Sequence, residues 1–207
     1  MDTSASADTP ATGEGVVVLH WIPLGAGAVV VKTSGRLYES LSARVHRRPA
    51  LALFHSALTL TLPDGPYVVE QAPVPDLDGY RRGVVAEGPV GLAGAGRFRL
   101  FRYEVRCWRG GRIPDIACAG AVSHIVTTDL RTARRIVDVL PSIPTPTWGR
   151  DELRTGEMWN SNSVIAWTLV RSGIDADRID PPVGGRAPGW HAGVTVAERT
   201  GSPVLVR

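Results

Sequence analysis

The chain has 207 residues, enough for one medium domain, and 43% of them are hydrophobic, which supplies a core and excludes wholesale disorder. Charges or prolines break every apolar run well short of the roughly 18 residues a membrane helix needs, and 23 Gly with 16 Pro argue against a helical bundle. A net charge of +3, with Lys32 as the one lysine among 23 basic residues, is too small and too scattered for a nucleic-acid footprint.

In chain order, Met1 to Gly15 is polar, has no apolar period and lacks the basic and apolar regions of a signal peptide. It reads as a disordered lead-in to a single α+β domain over 16–207, with a cytoplasmic location expected. Val16 to Ile22 and Ala28 to Val31 read as strands around Gly25-Ala26-Gly27. Leu37, Leu41 and Val45 set a helical stripe over Leu37 to Arg47. Leu51 to Leu62 alternates with a period of two, turns at Pro63-Asp64-Gly65 and returns through Tyr67 to Glu70, the pattern of a β-hairpin.

Ala72 to Arg97 reads as an irregular excursion with a short strand at Val84 to Ala86. Phe98 to Trp108 and Ala121 to Thr127 read as strands, and Asp129 to Leu140 as a helix capped by Thr128 or Asp129. Asn160 to Ser172 opens with four cap-type residues and runs on as a buried helix to Gly173. The remainder is loop-rich, with a final strand at Gly193 to Val196.

Much of the reactive chemistry in the chain has an ordinary reading. The glycines at 25, 27, 91, 94 and 96 do not open a helix and so build no phosphate cradle. Cys107 and Cys118 have no metal-site spacing and read as free buried thiols. His20, His46, His124 and His191 read as surface or hydrogen-bonded structural histidines. No metal or cofactor is expected.

Three features stand apart. His55 sits in an apolar strand between Phe54 and Ser56, where an imidazole is less expected. The hairpin brings Glu70 back toward it and, depending on register, within reach, where a carboxylate would orient the ring. Asn160-Ser161-Asn162-Ser163 opens a helix with four residues where one cap suffices, and a nucleophile there gains from the helix dipole.

A strand histidine, a polar residue on the paired strand and a late Asn-Ser-Asn-Ser helix start resemble the circularly permuted papain-like superfamily. That group includes the NlpC-type peptidases and the lecithin retinol acyltransferase-like and PPPDE-type proteins. The resemblance covers about residues 50–173. It implies His55 as base, Glu70 as the third polar position and Ser161 where the family carries its nucleophilic cysteine. Asn160, Asn162 and Ser163 would then line the substrate site with Trp148 and Trp190, which sit in Pro/Gly-rich stretches.

The serine leaves two readings open, beside the narrower alternative that Ser163 is the reactive hydroxyl and Ser161 the cap. One is an enzyme transferring or hydrolysing an acyl group of an amide or ester. The other is a binding module that has lost the chemistry, with Arg99, Arg102 and Arg106 meeting an anionic partner. The expected partner is a small acyl or peptide-like molecule; oligomeric state is not legible.

Overall fold

The computed structural model describes residues 14–24, 51–74, 83–111, 113, 116 and 122–201. Most of the lead-in, the Gly25 turn, the strand from Ala28, the helix from Leu37, His46 and Cys118 lie outside the described residues.

The fold is α+β. Six strands form one antiparallel sheet: β1 (Val16–Pro23), β2 (Ala52–Leu62), β3 (Gly65–Val74), β4 (Val84–Pro89), β5 (Arg102–Arg109) and β6 (Val122–Thr127). Their order is β4-β5-β3-β2-β1-β6, and a two-residue β7 (Gly185–Arg186) adds to the start of β2 in parallel. The hairpin closes with Leu62 opposite Gly65, so Pro63 and Asp64 make the turn the sequence announced.

Alternation sorts the side chains. Leu58 and Leu60 of β2, Leu19 and Trp21 of β1, Val69 of β3 and Val105 of β5 face one side and form the main core with the helices. Ile22, Ala57 and Val68 face the other side, where Ile113 joins them and Trp108 and Ile116 pack. On that second face Glu104 and Arg106 are buried together, with Arg106 Nε and Nη2 both donating to Glu104 Oε2 at 2.9 and 2.8 Å.

Three helices follow: α1 (Leu130–Val139), α2 (Ser161–Arg171) and α3 (Trp190–Arg199). Asp129 caps α1 by accepting from Thr132 N–H at 2.8 Å. Residues 161–169 of α2 are all buried, because the sheet covers one side of the helix and α3 another. It ends in a Schellman motif: Ile174 N–H donates to Leu169 O, Gly173 N–H donates to Val170 O, and Gly173 takes φ +90°.

Two expectations are corrected. Gly193 to Val196 lies inside α3 rather than a strand. Its β-branched residues favour extension locally, but Trp190, Val194 and Ala197 at helical spacing are all buried, and tertiary packing overrides propensity. The strand expected from Phe98 begins at Arg102; Ala93–Arg97 and Arg99–Phe101 form two 3₁₀ turns.

α2 and α3 approach so closely that a methyl at Gly193 would collide with Ser163 O and crowd Ala166 Cβ. Gly193→Ala should therefore destabilise the domain by roughly 1–3 kcal/mol, although alanine is the better helix former by about 1 kcal/mol. Urea denaturation measures this, and an unchanged midpoint would show that the two helices part without cost.

Candidate active site

The start of α2 carries a dense set of side-chain hydrogen bonds. Helix amides N2 and N3 have no partner within the helix and here are buried, so side chains must satisfy them. Asn160 Oδ1 accepts from Asn162 N–H at 2.9 Å and Ser163 N–H at 3.4 Å. Ser163 Oγ accepts in return from Asn160 N–H at 3.1 Å, closing a capping box. Ser163 Oγ also donates to Gly189 O at 2.7 Å, and Asn160 Nδ2 donates to Pro188 O at 2.8 Å. Gly189 is required there: its φ is +86°, and a Cβ would run into the Asn160 side chain and Met158 O.

Asn162 reaches further. Its Nδ2 donates to Pro188 O at 2.9 Å and to Phe54 O at 3.0 Å. The β2–β3 register runs only to Leu58 opposite Val69, so the Phe54 carbonyl lies beyond it, where the asparagine can reach it. This bond joins the helix start to the residue before His55. Ser161 and His55 each stand one position from it.

Ser161 differs from its neighbours. Among the described residues, neither its Oγ nor its backbone N–H has a hydrogen-bond partner, and the residue is 8% exposed. The cluster therefore divides its labour: Asn160, Asn162 and Ser163 hold the backbone together, and Ser161 is left for other chemistry. Ser163, with no exposed surface, is part of that framework.

His55 of β2 pairs with Ile22 of β1 and is half-buried. Its side chain projects on the Ile22–Ala57 face, since Phe54 belongs to the main core on the other face. Glu70 shares that face. It stands opposite Arg106 of β5, with Oε1 3.9 Å from Arg106 Nη1. The β2–β3 pairing stops one residue short of Glu70, at Leu58 opposite Val69.

The tryptophans expected to wall a cleft are packing residues. Trp190 is 9% exposed, is the first residue of α3, lies 4.8 Å from the Trp21 ring and donates from Nε1 to Ala176 O at 2.9 Å. Trp148 is half-buried and sits edge-on to Tyr103, 6.0 Å between ring centres. The arginines of β5 are also largely committed. Arg106 is buried against Glu104, and Arg102 pairs with Glu87 at 2.7 Å.

One constellation escaped the sequence. His20 Nδ1 lies 2.7 Å from Ser123 Oγ, and its Nε2 lies 2.8 Å from Thr59 Oγ1. The three residues sit on three strands and meet only once β1 pairs with both β2 and β6, so no local spacing signals them. Burial lowers the His20 pKa, and the nearby His124 lowers it further, so the ring stays neutral at pH 7. This is the hydrogen-bonded structural histidine the sequence suggested.

Two measurements follow from this geometry. Ser163→Ala should cost roughly 1–3 kcal/mol, because it strands buried partners, while Ser161→Ala should stay within about 0.5 kcal/mol; comparing their urea midpoints checks the division of labour. His20 adds a pH signature. Its folded pKa lies below 6.5, so the unfolded chain binds more protons. Its contribution is complete above about pH 6.5 and is lost as pH falls toward the folded value. The urea midpoint should drop between neutral and mildly acidic pH, and His20→Gln should flatten that drop.

No family model matches the chain, and no curated protein or solved structure matches it either.

Proposed function

We propose that this domain is a serine variant of the circularly permuted papain-like enzymes, acting on an amide or ester by acyl transfer or hydrolysis. The observation that carries the reading is the unpartnered Oγ and N–H of Ser161 at the first position of α2, beside the Asn162–Phe54 bond that leads to His55. A hydroxyl and an amide at a helix N-terminus supply both a nucleophile and one oxyanion donor, and the helix dipole favours the developing charge.

In the proposed reaction Ser161 Oγ forms a bond to the substrate carbonyl carbon as its proton passes to the His55 imidazole. The carbonyl electron pair moves onto oxygen, facing the Ser161 N–H. Collapse breaks the carbon–nitrogen or carbon–oxygen bond, and His55 returns the proton to the departing amine or alcohol. Water or a second nucleophile then takes the acyl group from Ser161. Glu70, on the face of His55, would favour the imidazolium. A small acyl or peptide-like substrate fits this chemistry, and the reading carries a cytoplasmic location, which the free Cys107 suits. No helix of the described residues is long and apolar enough to cross a membrane.

A second reading has its own support. Among the described residues no hydrogen bond joins Ser161 to His55, and Glu70 faces Arg106. On that reading the domain binds its ligand at the same margin without turning it over.

A fluorophosphonate probe separates the two: the enzyme labels at Ser161 and Ser161→Ala does not. Ser161→Cys adds a sharper measure. The engineered thiol should alkylate with a pKa below about 8.5, and adding His55→Ala should raise it. An alkylation profile that His55→Ala leaves unmoved, with no probe labelling of the wild type, assigns the domain to binding.

A further inference from the structure

We propose that the connection between β4 and β5 docks this domain onto an anionic lipid surface. Leu92, Phe98, Leu100 and Phe101 are 63%, 54%, 68% and 45% exposed, four large apolar side chains within ten residues. Single exposed apolar residues need no explanation; a cluster on one short segment does.

The segment is built rather than loose. Successive turns are closed by Ala95 N–H to Leu92 O at 3.0 Å, Phe98 N–H to Ala95 O at 2.9 Å and Phe101 N–H to Phe98 O at 3.0 Å. Its two ends are clipped together by Val90 N–H to Phe101 O at 2.8 Å. Arg150 Nε donates to Gly91 O at 2.7 Å, and Gly91 N–H donates to Trp148 O at 3.0 Å. At its tip a Cβ on Gly94 would meet nothing within 4 Å, so the turn stands clear of the domain. A preformed tip loses little ordering entropy when it inserts.

The charge selects the surface. Arg97 lies over the Phe98 ring at 4.7 Å, and Arg99 is exposed beside it. Among the described residues neither has a carboxylate in ion-pair range. The acids at its base, Asp151 and Glu152, are exposed but hold local hydrogen bonds: Asp151 accepts from Thr155 and Gly156, and Glu152 accepts from Thr147. The tip therefore presents leucines and phenylalanines with two free guanidinium groups. Apolar side chains enter the headgroup boundary while arginines snorkel to lipid phosphates and carboxylates. Its turns are closed by its own backbone, and the apolar side chains stand on that frame beside the two arginines. A leaflet rich in anionic lipid supplies the matching charge.

The test is co-sedimentation of the full chain with phosphatidylcholine vesicles with and without phosphatidylserine. Binding should require phosphatidylserine and weaken with added salt. Phe98→Ser with Leu100→Ser, and separately Arg97→Glu with Arg99→Glu, should each lower vesicle partitioning roughly tenfold or more, with thermal melting unchanged. Protein that stays in the supernatant, binds both vesicle types equally, or binds as well after either pair of substitutions overturns the proposal. So does size-exclusion evidence that the wild type is an oligomer the serine pair dissociates, which would give the tip to a second copy of the chain.

Discussion

The architecture turns on a buried helix N-terminus. α2 is enclosed along nine consecutive residues, so its second and third amides cannot be left to water. Asn160 Oδ1 satisfies both, Ser163 Oγ takes the Asn160 N–H in return, and Asn160 and Asn162 spend their side-chain amides on Pro188 and Phe54. Three distant segments meet there: the start of β2, the helix itself and the loop entering α3. Asn162 is 2% exposed, so its bonds to two carbonyls are made in a dry environment where losing them is expensive. The same bonds that keep the fold in register also fix where Ser161 stands relative to the strand of His55.

Two faces of one sheet explain much of the remaining chemistry. The main core is apolar and carries the helices. The second face mixes Ile22, Ala57 and Val68 with His20, His55, Glu70, Glu104 and Arg106. Buried charge is tolerated there because Arg106 makes two short bonds to a single Glu104 oxygen with Glu70 nearby, so the charges travel as a group. A buried pair of this kind adds little net stability, yet removing one partner would leave the other uncompensated.

Elements with a local signature were legible from sequence. The period-two run into Pro63-Asp64-Gly65 gave the hairpin, and the stripe of Ala133, Ile136 and Leu140 behind Asp129 gave α1. The Asn160 cap and the Gly173 terminus bounded α2. Features that depend on tertiary contacts were not legible. Val194, Thr195 and Val196 looked extended until Gly193 let α3 settle against α2. Trp190 looked like a loop aromatic because its partner Trp21 lies 169 positions away. The four-residue polar cluster was visible as a group, but its division into three structural members and one free hydroxyl needed Phe54, Pro188 and Gly189 in place.

On the proposed enzyme reading, that division bears on how a serine serves where a thiol would be the readier nucleophile. Cys107 offers no substitute. Its side chain packs against the main core, and burial pushes its pKa up to about 11, so it stays a protonated thiol at neutral pH. A hydroxyl at Ser161 cannot be ionised in advance by the helix dipole or an adjacent imidazole, since its proton must leave as the new bond forms. The demand on His55 is accordingly stricter than in a cysteine enzyme: the imidazole must be neutral and within hydrogen-bond reach of Oγ at the moment of attack. Asn162 ties the start of α2 to the Phe54 carbonyl, while the His55 side chain projects on the sheet face away from the helices, so on the enzyme reading the ring and the Ser161 hydroxyl have to be brought to one side of the strand before attack.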